Sequence, residues 1–264
     1  MSRATVRSDV SIAVSVWKAL FLREASARLA TGRAAWLWIL LEPAVHLIFL
    51  MLLFGLIRHR VVGGGANAEI FVLAGVWGFF LVRNIAMRGM DAVNANKALF
   101  AYRQVRPVDA VLVRVSLEAF LYAIVLAVLL AALAAFDIDI APNDPAQVGM
   151  SVVLLLLSGG GMALVFSVFG SLLPEAGRLI RLAFAPLYFL SAVMYPVASL
   201  PRGLRTVVLV NPIVHGLESM RAGYFAGYHG EAHISLLYLG FFALGMVFLG
   251  LALHARYAQR LVAQ

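Results

Sequence analysis

The chain contains no cysteine and few charged residues. The absence of cysteine excludes disulfides and thiolate metal sites, and it says little about the compartment in which the protein resides. Charged residues make up 13% of the 264 positions, whereas hydrophobic residues make up 63%. Mean hydropathy is +0.93. This composition predicts a polytopic membrane protein with one membrane domain, and not a soluble domain.

Acidic side chains are also scarce, since 13 Asp and Glu stand against 21 Lys and Arg. A basic excess suggests a nucleic-acid partner in a soluble protein, but in a membrane protein it is the ordinary signature of cytoplasmic loops. We therefore predict no nucleic-acid partner. The first residues lack a compact apolar core with a small-residue cleavage site, so no cleaved signal peptide is expected.

Six apolar stretches approach the ~20 residues needed to cross a bilayer. We predict an all-α membrane fold with six transmembrane helices, and the six spans are 36–57, 70–87, 115–136, 148–173, 182–197 and 234–253. Basic residues fall mostly on one side of this topology. The distribution predicts that both termini are cytoplasmic.

Residues 9–33 are predicted to form an amphipathic helix on the membrane surface. Trp17, Leu20 and Phe21 lie toward one side of this helix, and charged side chains occupy the remainder. A positively charged leader to the first span is an equal alternative. Within that span, Glu42 and His46 are four residues apart and share a helix face. We predict a structural hydrogen bond between these two side chains, because no second cluster of metal-binding residues is nearby to complete a metal site.

The most polar internal stretch, 94–107, follows the second span. A short helix is predicted over 97–105, and Pro107 is expected to interrupt it. Its exposed aromatic and basic side chains suit docking in a groove of another protein. The alternative is a solvated basic loop, which the pattern alone favours. The docking candidates are Asn96, Lys97, Phe100, Tyr102, Arg103 and Arg106.

Two short apolar pieces, Leu204–Val210 and Ile213–Phe225, follow the fifth span, and neither is long enough to cross a bilayer. Broken backbone at membrane depth is tolerated only where protein buries it or where it lines a wet cavity. Residues 199–228 are therefore predicted to form a re-entrant segment at the opening of a translocation path.

The order of these parts resembles the membrane subunit of type-2 ABC exporters, specifically the capsular polysaccharide export permease family. The resemblance covers nearly the whole chain and is carried by three stretches: WILLEPAVH at 38–46, SAVMYP at 191–196 and NPIVHGLESMRAGY at 211–224. It implies a cargo of lipid-linked acidic polysaccharide, exported across the inner membrane of a Gram-negative cell. Residues 94–107 would be the coupling element, and 199–228 would lie at the periplasmic side.

The resemblance also implies partners. Two copies of the chain would form the path, and two copies of a separate ABC ATPase would bind ATP and Mg, so no cofactor is expected on this chain. In agreement, no Lys-Ser or Lys-Thr follows the glycines at 63–65, so no Walker A loop is present. Further family partners would be a periplasmic co-polymerase-type protein and an outer-membrane export channel.

A polyanionic sugar needs cationic steering and aromatic faces along its path. For each candidate taken alone, interface anchoring is the alternative role, and Glu218 and Arg221 could simply neutralise each other. The path candidates are Trp36, Trp38, Tyr195, Arg202, Arg205, His215, Glu218, Arg221, Tyr224 and Tyr228.

Three other functions stay open. One is a related type-2 exporter of O-antigen, teichoic acid, a drug or haem. A second is a membrane-embedded enzyme, which is disfavoured because Glu42 and His46 lie near one face and His215 and Glu218 near the other. The third is an ion-coupled transporter, which is disfavoured because no internal repeat is found.

Overall fold

The computed structural model describes residues 9–30, 41, 44–46, 48–50, 68–102, 104–228, 230–231 and 233–263. All regular structure in these ranges is helical, which confirms the all-α prediction. The predicted first span lies largely outside the described residues. Four residues of the sequence-based prediction also lie outside them, namely Trp36, Trp38, Glu42 and Arg103.

Nine α-helices are numbered here in chain order within the described ranges: α1 Asp9–Ala30, α2 Ala68–Met90, α3 Ala92–Ala95, α4 Pro107–Ala134, α5 Pro145–Leu172, α6 Pro174–Leu190, α7 Arg202–Leu209, α8 Pro212–Tyr224 and α9 Leu236–Val262. Short 3-10 turns occupy Lys97–Ala101 and Val197–Ser199.

Four of the described helices, α2, α4, α5 and α9, are long and apolar enough to cross a membrane. They match the predicted spans 70–87, 115–136, 148–173 and 234–253. Helix α9 continues to Val262, so the tail that carries Arg256 and Arg260 is helical and not a loop. The four spans confirm a membrane protein, while the count of six stays a prediction.

The boundaries of the fifth predicted span were wrong. Helix α6 begins at Pro174 and ends at Leu190, whereas the prediction placed the span at 182–197. Proline is favoured in the first turn of a helix because it has no N–H to satisfy there. Beyond Leu190 the chain reverses at Ala192, whose φ is 53°.

Proline 107 was also misread, because it begins α4 rather than ending a helix. The predicted helix over 97–105 is only the 3-10 turn Lys97–Ala101, followed by residues 102–106 outside any helix. The short apolar pieces 204–210 and 213–225 are helical, as α7 and α8, with boundaries one or two residues away, and their re-entrant arrangement stays a prediction.

Helix α5 is the centre of the bundle and contacts α2, α4, α6, α8 and α9. Small residues allow its closest crossing, with α9. A Cβ placed on Gly161 would lie 2.8 Å from both Met246 Cβ and the Val247 backbone nitrogen. Close packing at Gly161, the last of the small residues Ser158–Gly161, therefore positions α9 against α5.

Replacement of Gly161 by alanine is expected to destabilise the protein by about 1–3 kcal/mol, because the added methyl meets backbone that cannot yield. Gly245→Ala is the matched control, since a Cβ at Gly245 meets no atom within 4 Å. Thermal melting of both variants in detergent measures the difference. Equal melting temperatures would contradict the assigned helix crossing.

Helix α1 packs against α4 with a different face from the predicted one. Leu20 is buried as expected, but so is Glu24, which is only 8% exposed. Val14 and Leu22 are more than half exposed. The charged residues of α1 were expected to face solvent. Glu24 is buried instead because it pairs with a basic side chain of α4.

Candidate functional site

The polar residues of this bundle gather at its two ends. One end, called the α8 end, holds α7, α8 and the start of α2. The other, called the α1 end, holds α1, residues 92–106 and the start of α4. Each end contains buried charges, which are costly unless they are paired and hydrogen-bonded.

Arg221 organises the α8 end and is fully buried, at 0% exposure. Its Nη1 donates to the Ala192 carbonyl oxygen at 2.8 Å, and its Nη2 donates to that of Val193 at 2.6 Å. Nη1 also pairs with Glu218 Oε1 at 2.9 Å. The guanidinium lies over the Phe71 ring, 3.8 Å from its centroid. Arg221 therefore satisfies carbonyls of the chain reversal that follows α6.

The partner carboxylate, Glu218, is equally buried, at 1% exposure. The Tyr228 hydroxyl donates to its Oε2 at 3.1 Å. A glycine makes room for this cluster, because a Cβ on Gly75 would collide with the Val193 carbonyl oxygen and with Nη2 of Arg221. The pair thus joins α8 to α2 and to the break after α6.

Arg205 and His215 hold the two short helices in place. Arg205 Nη2 donates to the Ala198 carbonyl oxygen at 2.7 Å, and Nη1 pairs with Glu231 at 2.7 Å. A nitrogen of the buried His215 ring, Nε2, lies 2.9 Å from the Leu209 carbonyl oxygen. Arg202, in contrast, is exposed. Of the three predicted path arginines, Arg221 is buried, Arg205 is partly buried and Arg202 is the most exposed.

A cavity of about 440 Å³ lies beside this cluster, between α8 and residues 230–236. Its charged lining residues are Glu218 and Glu231, both acidic. Among the predicted aromatic path residues, Tyr195 is half-buried and its hydroxyl donates to the Phe189 carbonyl oxygen, while Tyr224 is half-buried beside Phe225. The cavity does not provide the cationic lining expected for a polyanion, and the path assignments stay predictions.

The α1 end is joined by a cluster around Glu24. Arg114 Nη2 lies 2.7 Å from its Oε2, and the Asn96 side-chain amide donates to its Oε1 at 2.9 Å. Asn96 also donates to the Ala92 carbonyl oxygen at 2.8 Å, and Arg23 donates to its Oδ1. Through the Glu24 carboxylate, α1 is connected both to residues 92–102 and to α4.

A second carboxylate, Glu118, repeats this arrangement further along α4. It is 1% exposed, and its Oε1 lies 3.3 Å from Arg28 Nη2 of α1 and 3.5 Å from Arg88 Nε of α2. At the start of α4, the Trp17 indole donates to Asp109 Oδ1 at 3.0 Å. Polar contacts at three levels therefore fix α1 along α4.

The pKa of Glu24 reflects these contacts. Burial acts to raise this pKa, but hydrogen bonds from Arg114 and Asn96, with the positive charges of Arg114 and Arg23, outweigh it and hold the pKa below its ordinary value. Glu24 is therefore ionised at neutral pH, and its charge stabilises the attachment of α1.

The predicted docking residues differ in their exposure to solvent. Tyr102 is 66% exposed, and Lys97 and Arg106 are also exposed. The expectation that Phe100 is exposed was wrong, because it is 5% exposed in the core. Asn96 is buried by its hydrogen bonds to Glu24 and Ala92. Within the first predicted span, His46 hydrogen-bonds to Tyr188 of α6, and its pairing with Glu42 lies outside the described residues.

The clusters at the α1 end were not predicted, although the spacing of charged residues in the sequence indicates them. Glu24 and Arg28 are four residues apart, and so are Arg114 and Glu118, with the charges in the opposite order. Each pair shares one helix face, so two parallel helices can match both pairs at once. This mirrored spacing could have identified the contact between α1 and α4.

These features define an α-helical transport protein of the membrane, with a helix break stabilised by buried charge at one end and a helix joined to a polar loop at the other. A family comparison agrees, since the model of the ABC-2 type transporter family matches residues 15–225. The chain belongs to the ABC-2 type transporter family. It is a transport subunit and not an enzyme, and in such transporters ATP hydrolysis belongs to a separate subunit.

Relatives of similar length are named for polysaccharide export. The chain is 36% identical over 250 residues to the polysialic acid transport protein KpsM of Escherichia coli, covering 94% of this chain and 95% of that protein. It is 28% identical over 242 residues to the capsule polysaccharide export inner-membrane protein CtrC of Neisseria meningitidis serogroup A, with 91% and 90% covered. It is 25% identical over 254 residues to BexB of Haemophilus influenzae, which has the same description as CtrC, with 95% and 94% covered.

Proposed function

We propose that this chain is the permease subunit of an ATP-driven exporter that moves a lipid-linked acidic capsular polysaccharide across the inner membrane, from cytoplasm to periplasm. The observation that carries the proposal is the 36% identity, over 94% of the chain, to a protein named for transport of polysialic acid. Polysialic acid is a polyanion, so the proposed cargo class is an acidic glycan. Export of another cargo by the same family is the alternative.

The proposed working unit contains two copies of the chain and two copies of an ABC ATPase, with both termini cytoplasmic and six spans per copy. Helix α6 supports a second copy, because Gly177 and Phe184 are its only residues buried among the described parts of the chain. A helix in the membrane with so little internal contact has a face available for a partner helix. A periplasmic co-polymerase-type protein and an outer-membrane channel complete the proposed route.

The proposed ATPase contact is the segment 94–107. Beside it, a groove of about 720 Å³ opens between Tyr102 and the end of α9 and is lined there by Ala255 and Ala258. Exposed aromatic side chains contribute strongly to interfaces. We propose that Tyr102 and this groove receive the ATPase, with ATP and Mg bound on that subunit.

The proposed contact is tested by co-purification with the ATPase encoded beside this chain. Tyr102→Ala is expected to lower ATPase recovery about tenfold or more, the effect of losing an interface residue worth at least 1.4 kcal/mol. Phe136→Ala is the matched control, since Phe136 is 79% exposed at the far end of α4. Equal recovery with both variants would overturn the assignment.

The cargo is tested with the purified complex in lipid vesicles. The ATPase rate is measured with a lipid-linked acidic glycan and with a neutral glycan on the same lipid. Stimulation by the acidic glycan alone supports the proposed function. Stimulation by both, or by neither, contradicts the proposed selectivity for polyanions.

A further inference from the structure

A cleft of about 600 Å³ separates α1 from α4. Its walls are almost entirely apolar, and the polar side chains that line it are Lys18 and Ser116. The Ser116 hydroxyl donates to the Leu112 carbonyl oxygen of its own helix, so this hydroxyl presents little polarity to the cleft. The complete lining is Val14, Trp17, Lys18, Phe21, Leu22, Val113 and Ser116.

The cleft lies near the end of a span. Helix α4 begins at Pro107, and Val113 and Ser116 are about 9 and 14 Å further along it at 1.5 Å per residue. The Trp17 indole donates to Asp109 at the start of the same helix. Tryptophan with one polar contact and one apolar face is typical of the membrane interface. The cleft is therefore located where headgroups meet acyl chains.

The apolar side of the cleft faces outward. Val14 is 62% exposed and Leu22 is 55% exposed, and Phe120, which stacks edge-on against Phe21, is 56% exposed. These side chains leave the cleft open along its length rather than sealed by the bundle. In a membrane, an open apolar cleft of this kind admits a hydrocarbon chain.

The charge beside the cleft is positive. Lys18 is exposed at its edge and forms no ion pair with any residue that the structure describes. The ion-paired clusters further along α1 contain Arg23, Arg28, Arg88 and Arg114 against two carboxylates, Glu24 and Glu118. Asp109, at the start of α4, lies close to Trp17, but it already accepts hydrogen bonds from the Trp17 indole and from the Arg106 backbone nitrogen. The edge that holds Lys18 therefore suits an anion.

We propose that this cleft binds one anionic membrane phospholipid, with an acyl chain against Val14, Phe21 and Val113 and the phosphate beside Lys18. A lysine ammonium at the membrane surface contributes to binding of anionic lipids, and its carbon stem lies easily along apolar surface. An apolar protein surface that covered the cleft would remove Lys18 from water without a counter-charge, which is costly. A phospholipid covers the apolar wall with its acyl chain and places its phosphate beside the charge of Lys18.

The proposal is tested with the whole chain in vesicles that contain phospholipids with brominated acyl chains, because bromine quenches tryptophan fluorescence on contact. The contribution of Trp17 is the difference between the wild-type protein and Trp17→Phe. Brominated phosphatidylglycerol and brominated phosphatidylcholine are compared at equal mole fraction. We expect the apparent association constant at Trp17 to be about fivefold higher for the anionic lipid, the ratio that one surface lysine provides.

Two variants and a control make the result specific. Lys18→Gln is expected to reduce the ratio to about one, and Ser116→Leu is expected to weaken quenching by both lipids because it fills the cleft. Lys97→Gln removes an exposed cation outside the cleft and keeps the wild-type ratio. Equal quenching by both lipids in the wild-type protein would mean unselective lipid contact and would overturn the proposal. Absence of quenching by either lipid would mean that a second copy or another protein covers the cleft, and it would also overturn the proposal.

Discussion

Replacement of Arg221 by glutamine is expected to cost about 3–5 kcal/mol of stability and to abolish export through loss of folded protein. The change leaves Glu218 as a buried carboxylate without its cation, and it removes donors from the carbonyls of Ala192 and Val193. Neither group can recover water, because Glu218 is 1% exposed and Ala192 is 0% exposed. Both losses act on the same break after α6.

Arg202→Gln is the matched control for this change. Arg202 has the same charge and lies on the neighbouring helix α7, but it is exposed, so its loss is expected to change the free energy of unfolding by no more than about 0.5 kcal/mol. Melting in detergent and surface polysaccharide in a complemented deletion strain are measured for both. If Arg221→Gln melts normally and still stops export, Arg221 acts on the cargo instead of on the fold.

This distinction changes how the cationic path is tested. Simultaneous replacement of Arg202, Arg205 and Arg221 would confuse folding with transport, because two of the three hold backbone carbonyls and carboxylates. Arg202 alone can report on electrostatic steering of a polyanion. Slower export with Arg202→Gln, at normal protein levels, would support the path hypothesis.

Exchange of the charges at Glu24 and Arg114 is expected to recover part of the stability that the two single reversals lose. Arg114→Glu places two carboxylates together in a buried site and is expected to cost about 3–5 kcal/mol. The double variant Glu24→Arg with Arg114→Glu re-forms the pair, but recovery is incomplete because the Asn96 amide loses its acceptor at position 24. We expect a coupling energy of about 1–3 kcal/mol in the double-mutant cycle.

Arg181→Glu is the control for this exchange. Arg181 pairs with Asp91 at the same end of the bundle, but both side chains are about half exposed, and exposed pairs contribute about 0–1 kcal/mol. Its effect should therefore be small. Additive losses in the Glu24 and Arg114 cycle would contradict the assigned contact between α1 and α4.

Acid should have the same effect as loss of the Glu24 charge. The pKa of Glu24 is lower in the folded protein than its ordinary value, so its stabilising contribution is complete above that ordinary value. The contribution is lost as pH falls through the folded pKa. The melting temperature of Glu24→Gln should therefore approach that of the wild-type protein as the solution is acidified. A constant difference at all pH values would contradict this linkage.

Hydropathy located four of the spans because the transfer of apolar side chains into a membrane depends on local composition. It failed at α6, where Arg178 and Arg181 lower the hydropathy of a segment that is helical all the same. Pro174 and Pro107 are the first residues of α6 and α4, so they mark where these two helices begin. Those prolines were interpreted as breaks, since a proline can both end one helix and begin the next.

The candidate sites were predictable only in part. Polar residues in the 199–228 stretch were noticed because charge among apolar side chains is unusual. Their roles were not evident, because the carbonyls that Arg221 binds belong to residues almost 30 positions earlier in the chain. Glu24 was assigned to the solvent face of α1, since its partner Arg114 lies on a different helix.

The sequence by itself determined the membrane class, the all-helical fold, the short helices after α6 and the family resemblance. All of these follow from local apolar length, helix-breaking residues and motif order. Only the tertiary structure decided which charges are interior and which are exposed, as the contrast between Arg221 and Arg202 and between Glu24 and Lys18 shows. A charge is stable inside a protein only where a partner is brought to it, and for Arg28 and Glu118 that partner is 90 residues away along the chain.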